Sequence, residues 1–149
     1  MASAIPVYVA ILSPVVSLAV AVWGFRRTTK ADKLKMFLDL QDRYLGASAR
    51  AGRRLMHQRL PELKPETFGQ LTTEERTDLH HALAVMETIA IAHEGGHVDQ
   101  VMILNAMGQS YSSGIRKSQS YIDYQAAARG FRPYQRAARL GRALTKAIE

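Results

Sequence analysis

The first 25 residues are the most apolar stretch of the chain and carry no charged side chain. Ile5–Phe25 would make a helix of roughly 31 Å, because a helix rises about 1.5 Å per residue. The hydrocarbon core of a bilayer is about 30 Å thick. The pattern therefore predicts a transmembrane signal anchor over residues 1–28, followed by a helical domain over residues 29–149.

The charges that follow this stretch distinguish an anchor from a cleaved signal peptide. A signal peptide carries positive charge before its apolar core, whereas here Arg26, Arg27 and Lys30 come after it. Basic flanks stay in the cytoplasm, so we predict a single-pass protein of the cell (inner) membrane with its N-terminus outside and its C-terminal domain cytoplasmic. The alternative, a buried core helix, is disfavoured because a charge-free segment of this length is hard to cover in a small domain.

Beyond residue 28 the apolar positions recur at helical spacing, and no segment shows the alternation of a strand. Capping residues and glycines mark the helix limits, and residues 61–71 read as a loop. We expect a second helix with Ser48 as its cap and a last helix with Pro133 in its first turn. The predicted helices cover Thr29–Leu45, Ser48 to about Leu60, Thr72 or Thr73 to Glu94, Asp99 past Ile122, and 132–148.

These segments predict an all-α fold, with a single N-terminal transmembrane helix followed by a small four-helix cytoplasmic bundle that four of the five predicted helices form. The chain has no cysteine, which excludes disulfides and thiolate metal sites. Its net charge of +7 is uneven: residues 26–59 carry +7, residues 60–99 carry −6 and residues 100–149 carry +6. The excess of positive charge favours anionic partners. Among these, lipid fits an anchored domain with few exposed aromatic residues better than nucleic acid does.

The last predicted helix is amphipathic, with a basic stripe opposite its apolar side. We predict that this stripe and the flank of the anchor contact the membrane surface or a partner. The alternative is that the stripe pairs with the acidic middle of the chain or meets only water. The predicted contact residues are Arg26, Arg27, Lys30, Arg132, Arg136, Arg139, Arg142 and Lys146. A shorter stripe contains Arg50, Arg53, Arg54 and His57.

One short string resembles a zinc-protease motif. His93-Glu94-Gly95-Gly96-His97 matches H-E-x-x-H, in which two histidines on one helical face bind zinc and the glutamate activates water. Two adjacent glycines disfavour a helix there by about 1 kcal/mol each. We therefore interpret the string as a helix stop, and His93 and His97 remain only secondary candidates for a metal site.

The order of these patterns resembles the DUF4760 family of uncharacterised bacterial proteins. The resemblance spans most of the chain, and it implies architecture and location without any established catalytic residue. The segments that carry it are the helix at Leu34–Tyr44, Arg50-Ala-Gly-Arg-Arg-Leu55, Glu74-Glu75-Arg76, Gly96-His97-Val98-Asp99, Tyr121-Ile122 with Arg129, and Pro133-Tyr134.

We predict a non-enzymatic, membrane-tethered helical interaction or scaffold module, with no catalytic residue and no cofactor. Its expected partners are the membrane, anionic lipid, and either a protein partner or a second copy of the chain. Ser13, Ser17 and Ala21 lie four residues apart, a spacing that allows close approach of membrane helices. The alternatives are a zinc-dependent hydrolase built on the His93–His97 string and an accessory subunit of a larger membrane complex.

Overall fold

The computed structural model describes residues 29–149, which are mostly helical and contain no β-strand. Residues 29–35 are helical, and residues 36–149 form one compact unit. The all-α prediction is confirmed for this part of the chain. The predicted anchor, residues 1–28, lies outside the described residues. None of the helices within 29–149 combines the length and the apolar character needed to cross a membrane.

Six α-helices and two short 3₁₀ helices make up the compact unit. Helix α1 covers residues 36–45. The 3₁₀ helices Leu60–Glu62 and Pro65–Gln70 occupy most of the segment that we predicted as a loop, so that prediction is wrong in part. The other helices are α2 (Ala47–Gln58), α3 (Thr73–Glu94), α4 (Gln100–Lys117), α5 (Gln119–Arg129) and α6 (Gln135–Ile148).

Local capping explains where α3 begins and why α2 begins differently from the prediction. The Thr72 hydroxyl accepts a hydrogen bond from the Glu75 amide at 3.1 Å, and the Glu75 carboxylate accepts one from the Thr72 amide at 2.9 Å. This capping box confirms the predicted start. For α2 the cap position belongs to Gly46, and the Ser48 hydroxyl donates instead to the carboxylate of Asp78 on α3. Ser48 therefore joins two helices and caps neither.

Two helix limits in the C-terminal half differ from the prediction. The segment expected to run on from Asp99 is broken at the buried Ser118, whose hydroxyl donates to the Gly114 carbonyl at 2.8 Å. The last helix begins at Gln135, and Pro133 precedes it. Tyr134 between them has a φ of 57°, a left-handed conformation that ends the preceding turn before the helix starts.

Four helices pack in a ring around the core, in the order α2, α3, α6 and α4, with α4 returning to α2. Gly52 lets α2 cross α3 closely, because a Cβ there would lie 2.1 Å from the Asp78 carbonyl oxygen. Gly141 does the same for α6 and α4, where a Cβ would lie 3.1 Å from the Ile115 side chain. At the centre, the buried Tyr111 hydroxyl donates to the Met86 carbonyl at 2.8 Å. Helix α5 packs on α4 and on the second 3₁₀ helix.

Candidate functional site

The His93–His97 string forms the C-terminal stop of α3. The helix ends at Glu94, and Gly96 has a left-handed φ of 72°. The amides of Gly96 and His97 donate to the carbonyls of His93 and Ala92, both at 2.9 Å, which is the Schellman arrangement. The helix stop is therefore confirmed. Because His97 lies beyond the helix, the two histidines do not share the helical face that the zinc motif requires.

The remaining polar groups of the string contact protein atoms. The His93 Nδ1 atom lies 3.2 Å from the Val98 carbonyl oxygen. The Glu94 carboxylate forms ion pairs with Arg136 at 3.1 Å and Arg139 at 2.8 Å. Within residues 29–149 no cluster of three or more histidine, aspartate or glutamate side chains is placed to hold a metal ion. The geometry gives the zinc-hydrolase alternative no support.

The basic stripe that the sequence predicted for the last helix divides into two parts, and its first member, Arg132, lies before α6. Its first three members form ion pairs: Arg132 with Asp123 at 2.6 Å, and Arg136 and Arg139 with Glu94. Their side chains are about half exposed, so each pair stabilises the fold by less than about 1 kcal/mol. These contacts hold the start of α6 beside α3 and α5, and this part of the stripe has a role within the fold.

A carboxylate also caps α6 at this end. The Glu87 side chain on α3 accepts a hydrogen bond from the Ala137 amide at 2.8 Å, in the first turn of α6. The positive end of the helix dipole favours a negative charge at this position. Glu87 lies in a polar cleft of 380 Å³ that is also lined by Tyr134 and Gln135, and the three ion-paired arginines complete its walls. Carboxylates therefore already balance the cations of this cleft.

The last two members of the stripe border a groove between α4 and α6. Arg142 and Lys146 line it from α6 and Arg116 from α4, and the volume is 330 Å³. Among residues 29–149 none of these three cations forms an ion pair. The walls between them are mostly apolar and come from Ile115, Ala138 and Gly141, with Ser112, Gln119 and Thr145.

The groove extends into a second cavity of 240 Å³ along the same two helices. Ser112, Arg116 and Thr145 line both cavities, and Ile148 and Glu149 line only the second. The Thr145 hydroxyl donates to the Gly141 carbonyl at 3.0 Å, and the Ser112 hydroxyl donates to the Gln109 carbonyl at 3.2 Å. Because both hydroxyls are used as donors within their own helices, the groove is less polar than its sequence suggests.

A chain of polar side chains joins α3, α5 and the start of α6. The Tyr134 hydroxyl lies 2.9 Å from His80 Nδ1, and the Tyr121 hydroxyl lies 3.1 Å from His80 Nε2. Burial lowers the pKa of His80, and the neighbouring positive charges of Arg129 and Arg76 lower it further. Burial also raises the pKa of both tyrosines, so all three groups stay neutral at pH 7. A neutral imidazole bonds one tyrosine as a donor and the other as an acceptor, which suits a structural link.

The shorter basic stripe on α2 faces partly inward. The guanidinium of Arg53 stacks on the Tyr44 ring at 4.0 Å and lies 3.5 Å from the Ser110 hydroxyl oxygen. Burial, followed by the charges of Lys117 and Arg53, lowers the pKa of His57. Arg50 donates to the Leu45 carbonyl at the end of α1. These contacts connect helices and leave α2 a weaker candidate for binding than the groove.

Of the contact residues predicted from the sequence, the structure brings together only Arg142 and Lys146 at the groove. Arg26 and Arg27 lie outside the described residues, and Lys30 is exposed in the helical segment 29–35. Sequence reasoning missed Arg116, which shares a helix face with Ser112 and Gln119. The sequence shows this spacing, but it does not show that α4 packs against α6, which is what brings Arg116 to the groove.

No protein-family model matches the chain, and comparison with curated proteins and with solved structures gives no match either. The resemblance to the DUF4760 family therefore stays a prediction. The cation-lined groove between α4 and α6 is the candidate functional site of the described residues.

Proposed function

We infer that the chain is a non-enzymatic interaction module, tethered to the bacterial inner membrane by residues 1–28 and presenting its helical domain to anionic partners on the cytoplasmic side. The observation that carries this proposal is the set of Arg116, Arg142 and Lys146 around an apolar groove. These cations form no ion pairs within residues 29–149, whereas the arginines nearer the start of α6 do. Charges left unpaired beside apolar surface favour an anionic partner.

The charge pattern of the proposed tether also supports an anionic partner at the membrane. Residues 1–25 carry no charge, and Arg26, Arg27 and Lys30 follow directly. Basic residues next to a membrane span attract anionic headgroups, at about 1 kcal/mol for each residue near the surface. A tethered domain meets the membrane surface at high effective concentration, so weak contacts suffice to hold it there.

A protein partner or a second copy of the chain remains part of the proposal. Leu38 and Leu45 on α1 and Phe131 before α6 each leave about half or more of their surface exposed, at 53%, 47% and 60%. Scattered exposed apolar residues are normal on a folded protein, so these residues alone do not identify a partner. Affinity purification of the full chain from native membranes would identify one.

The decisive test of the tether is topology. A reporter fused after Glu149 should be active in the cytoplasm, the protein should resist alkaline extraction from membranes, and sequencing of the mature protein should return Met1 or Ala2. Extraction at high pH, or a mature N-terminus near residues 20–30, would overturn the tether. A periplasmic reporter would overturn the predicted orientation.

A further inference from the structure

We propose that the groove between α4 and α6 binds one anionic phospholipid, with an acyl chain against the apolar walls and the phosphate among Arg116, Arg142 and Lys146. The inference rests on the proposed function in one respect, because the membrane next to the tether is the source of the lipid. It goes further by assigning the ligand class and the binding residues.

The walls fit a hydrocarbon chain. Small residues of α6, namely Ala138, Gly141 and Thr145, lie at spacings of three and four and line the groove together with Ile115 of α4, so most of its wall is apolar. The hydroxyls of Ser112 and Thr145 donate to carbonyls of their own helices, so no unused donor interrupts the apolar surface there. At 330 Å³ the groove falls at the lower end of the usual range for ligand pockets, about 300–1,000 Å³.

The charges place the headgroup. Two guanidinium groups, Arg116 on α4 and Arg142 on α6, stand on opposite sides of the groove, and Lys146 lies one turn along from Arg142. Guanidinium groups bind phosphate oxygens through paired hydrogen bonds, and an ammonium adds a point charge. Glu149 lines only the second cavity, where its carboxylate repels a phosphate. The headgroup therefore lies at the three cations, and the chain runs beside Ile115.

The same features favour lipid over an acidic peptide. An amphipathic peptide helix needs a surface that accepts several side chains at successive turns. This groove has a mostly apolar wall and three cations among its lining residues, which matches a ligand with one acidic group and one apolar tail.

The test uses the full chain, purified in a neutral non-ionic detergent, with native mass spectrometry to count bound lipid. Phosphatidic acid and phosphatidylcholine with identical acyl chains are the two probes. We expect one bound phosphatidic acid per chain and at least about tenfold weaker binding of phosphatidylcholine, whose headgroup is neutral overall. Equal binding of the two lipids would overturn the assignment of the headgroup.

Two double variants of the same helix separate site binding from general attraction. Arg142→Gln with Lys146→Gln should weaken binding of phosphatidic acid by about tenfold or more, because two charge-assisted contacts are lost. Arg136→Gln with Arg139→Gln removes the same charge from α6 outside the groove and should change binding by less than about threefold. Equal weakening by both variants would overturn a site in the groove.

A groove-filling variant tests the acyl chain. Ala138→Leu should displace the lipid while leaving far-UV circular dichroism unchanged, and Thr145→Leu serves where the first variant fails to fold. Inorganic phosphate and a soluble acidic peptide are added as competitors of bound phosphatidic acid. If either displaces the lipid as well as added phosphatidic acid does, the assignment to lipid is overturned. If the reporter is cytoplasmic but the purified protein binds no lipid, this inference alone is refuted. If the protein binds the lipid but is not retained in membranes, the tether alone is refuted.

Discussion

At the scale of single residues, glycine at position 52 permits the contact between α2 and α3. Its missing side chain lets the two helices approach until a Cβ at this position would lie 2.1 Å from a backbone oxygen and 2.7 Å from the Ala82 side chain. A backbone oxygen in the middle of a helix cannot move aside as a flexible side chain can. Ser48, one turn earlier, donates to the Asp78 carboxylate and fixes the same crossing.

Gly52→Ala should therefore lower the free energy of unfolding by about 3 kcal/mol, at the upper end of the range for overpacking. Alanine favours helix over glycine by only about 1 kcal/mol, so the clash outweighs the gain. Gly69→Ala is the control, because nothing lies within 4 Å of its Cβ position. Chemical denaturation followed by circular dichroism measures both, and equal stabilities of the two variants would contradict the close crossing.

The stop after α3 predicts opposite effects for its glycine and its second histidine. Gly96→Val should lower the free energy of unfolding by about 1–2 kcal/mol, because a β-branched residue is strained at a φ of 72°. His97→Ala should change stability by less than about 0.5 kcal/mol, since the side chain is exposed. Zinc analysis of the purified protein completes the test: stoichiometric zinc that is lost with His93→Ala and His97→Ala would restore the hydrolase alternative.

The histidine between two tyrosines predicts how stability depends on pH. Burial lowers the pKa of His80 in the folded protein below its ordinary value of 6.5, so the unfolded chain takes up the proton first as pH falls. The free energy of unfolding should therefore decrease as pH drops below 6.5 and should be fully restored above it. His80→Gln should make this slope shallower, and His57, whose pKa is also lowered, should account for part of what remains. An unchanged slope in the variant would contradict the assignment.

At the scale of elements, α6 depends on a carboxylate from another helix. No residue next to its start caps it: Tyr134 occupies the cap position without a side-chain capping bond, and Glu87 of α3 accepts from the Ala137 amide instead. Because the cap comes from a residue 50 positions earlier, it also sets where α6 docks.

Glu87→Ala should lower the free energy of unfolding by about 1–2 kcal/mol, the cost of losing a helix cap with a favourable charge. Glu87→Gln keeps an acceptor and should cost less than the alanine variant. The solvent-exposed Glu66→Ala is the control. Thermal and chemical denaturation of the full chain measure these differences. Equal stabilities of Glu87→Ala and the control would show that the hydrogen bond from the Ala137 amide does not stabilise the fold.

The sequence predicts the ends of a helix well only where neighbouring residues determine them. The start of α3 and its end at Gly95 and Gly96 depend on neighbouring residues, and the sequence predicts both correctly. The start of α6 depends on Glu87, and the break at Ser118 depends on a hydroxyl turned back into its own helix, so neither could be read from apolar spacing. The same holds for the groove. The sequence of α6 shows Arg142 and Lys146, but Arg116 can be assigned to the site only once α4 is known to pack beside α6.

At the scale of the whole molecule, the acidic residues 60–99 connect the two basic parts of the chain. Glu75 pairs with Arg59 after α2, Asp78 accepts from Ser48, and Glu94 pairs with two arginines of α6. These contacts neutralise basic residues near α3 and leave the cations at the C-terminal end of α6 unpaired within residues 29–149. Within residues 29–149, Glu75 and Glu94 thus pair with basic residues beside α3 and with none of the three cations at the groove.

The flank of the proposed tether predicts the orientation of the whole protein. Replacing Arg26, Arg27 and Lys30 together with Gln should raise the fraction of chains with a periplasmic C-terminus, because basic residues within about 15–20 residues of a span determine which side stays in the cytoplasm. The matched control removes three charges far along the chain, with Arg139, Arg142 and Lys146 changed to Gln. The control should keep the cytoplasmic orientation, although it should weaken lipid binding at the groove. Paired cytoplasmic and periplasmic reporters after Glu149 give the two fractions directly. Identical fractions in the flank variant and the control would show that these three residues do not orient the chain, and Lys33 and Lys35 would then be the next to replace.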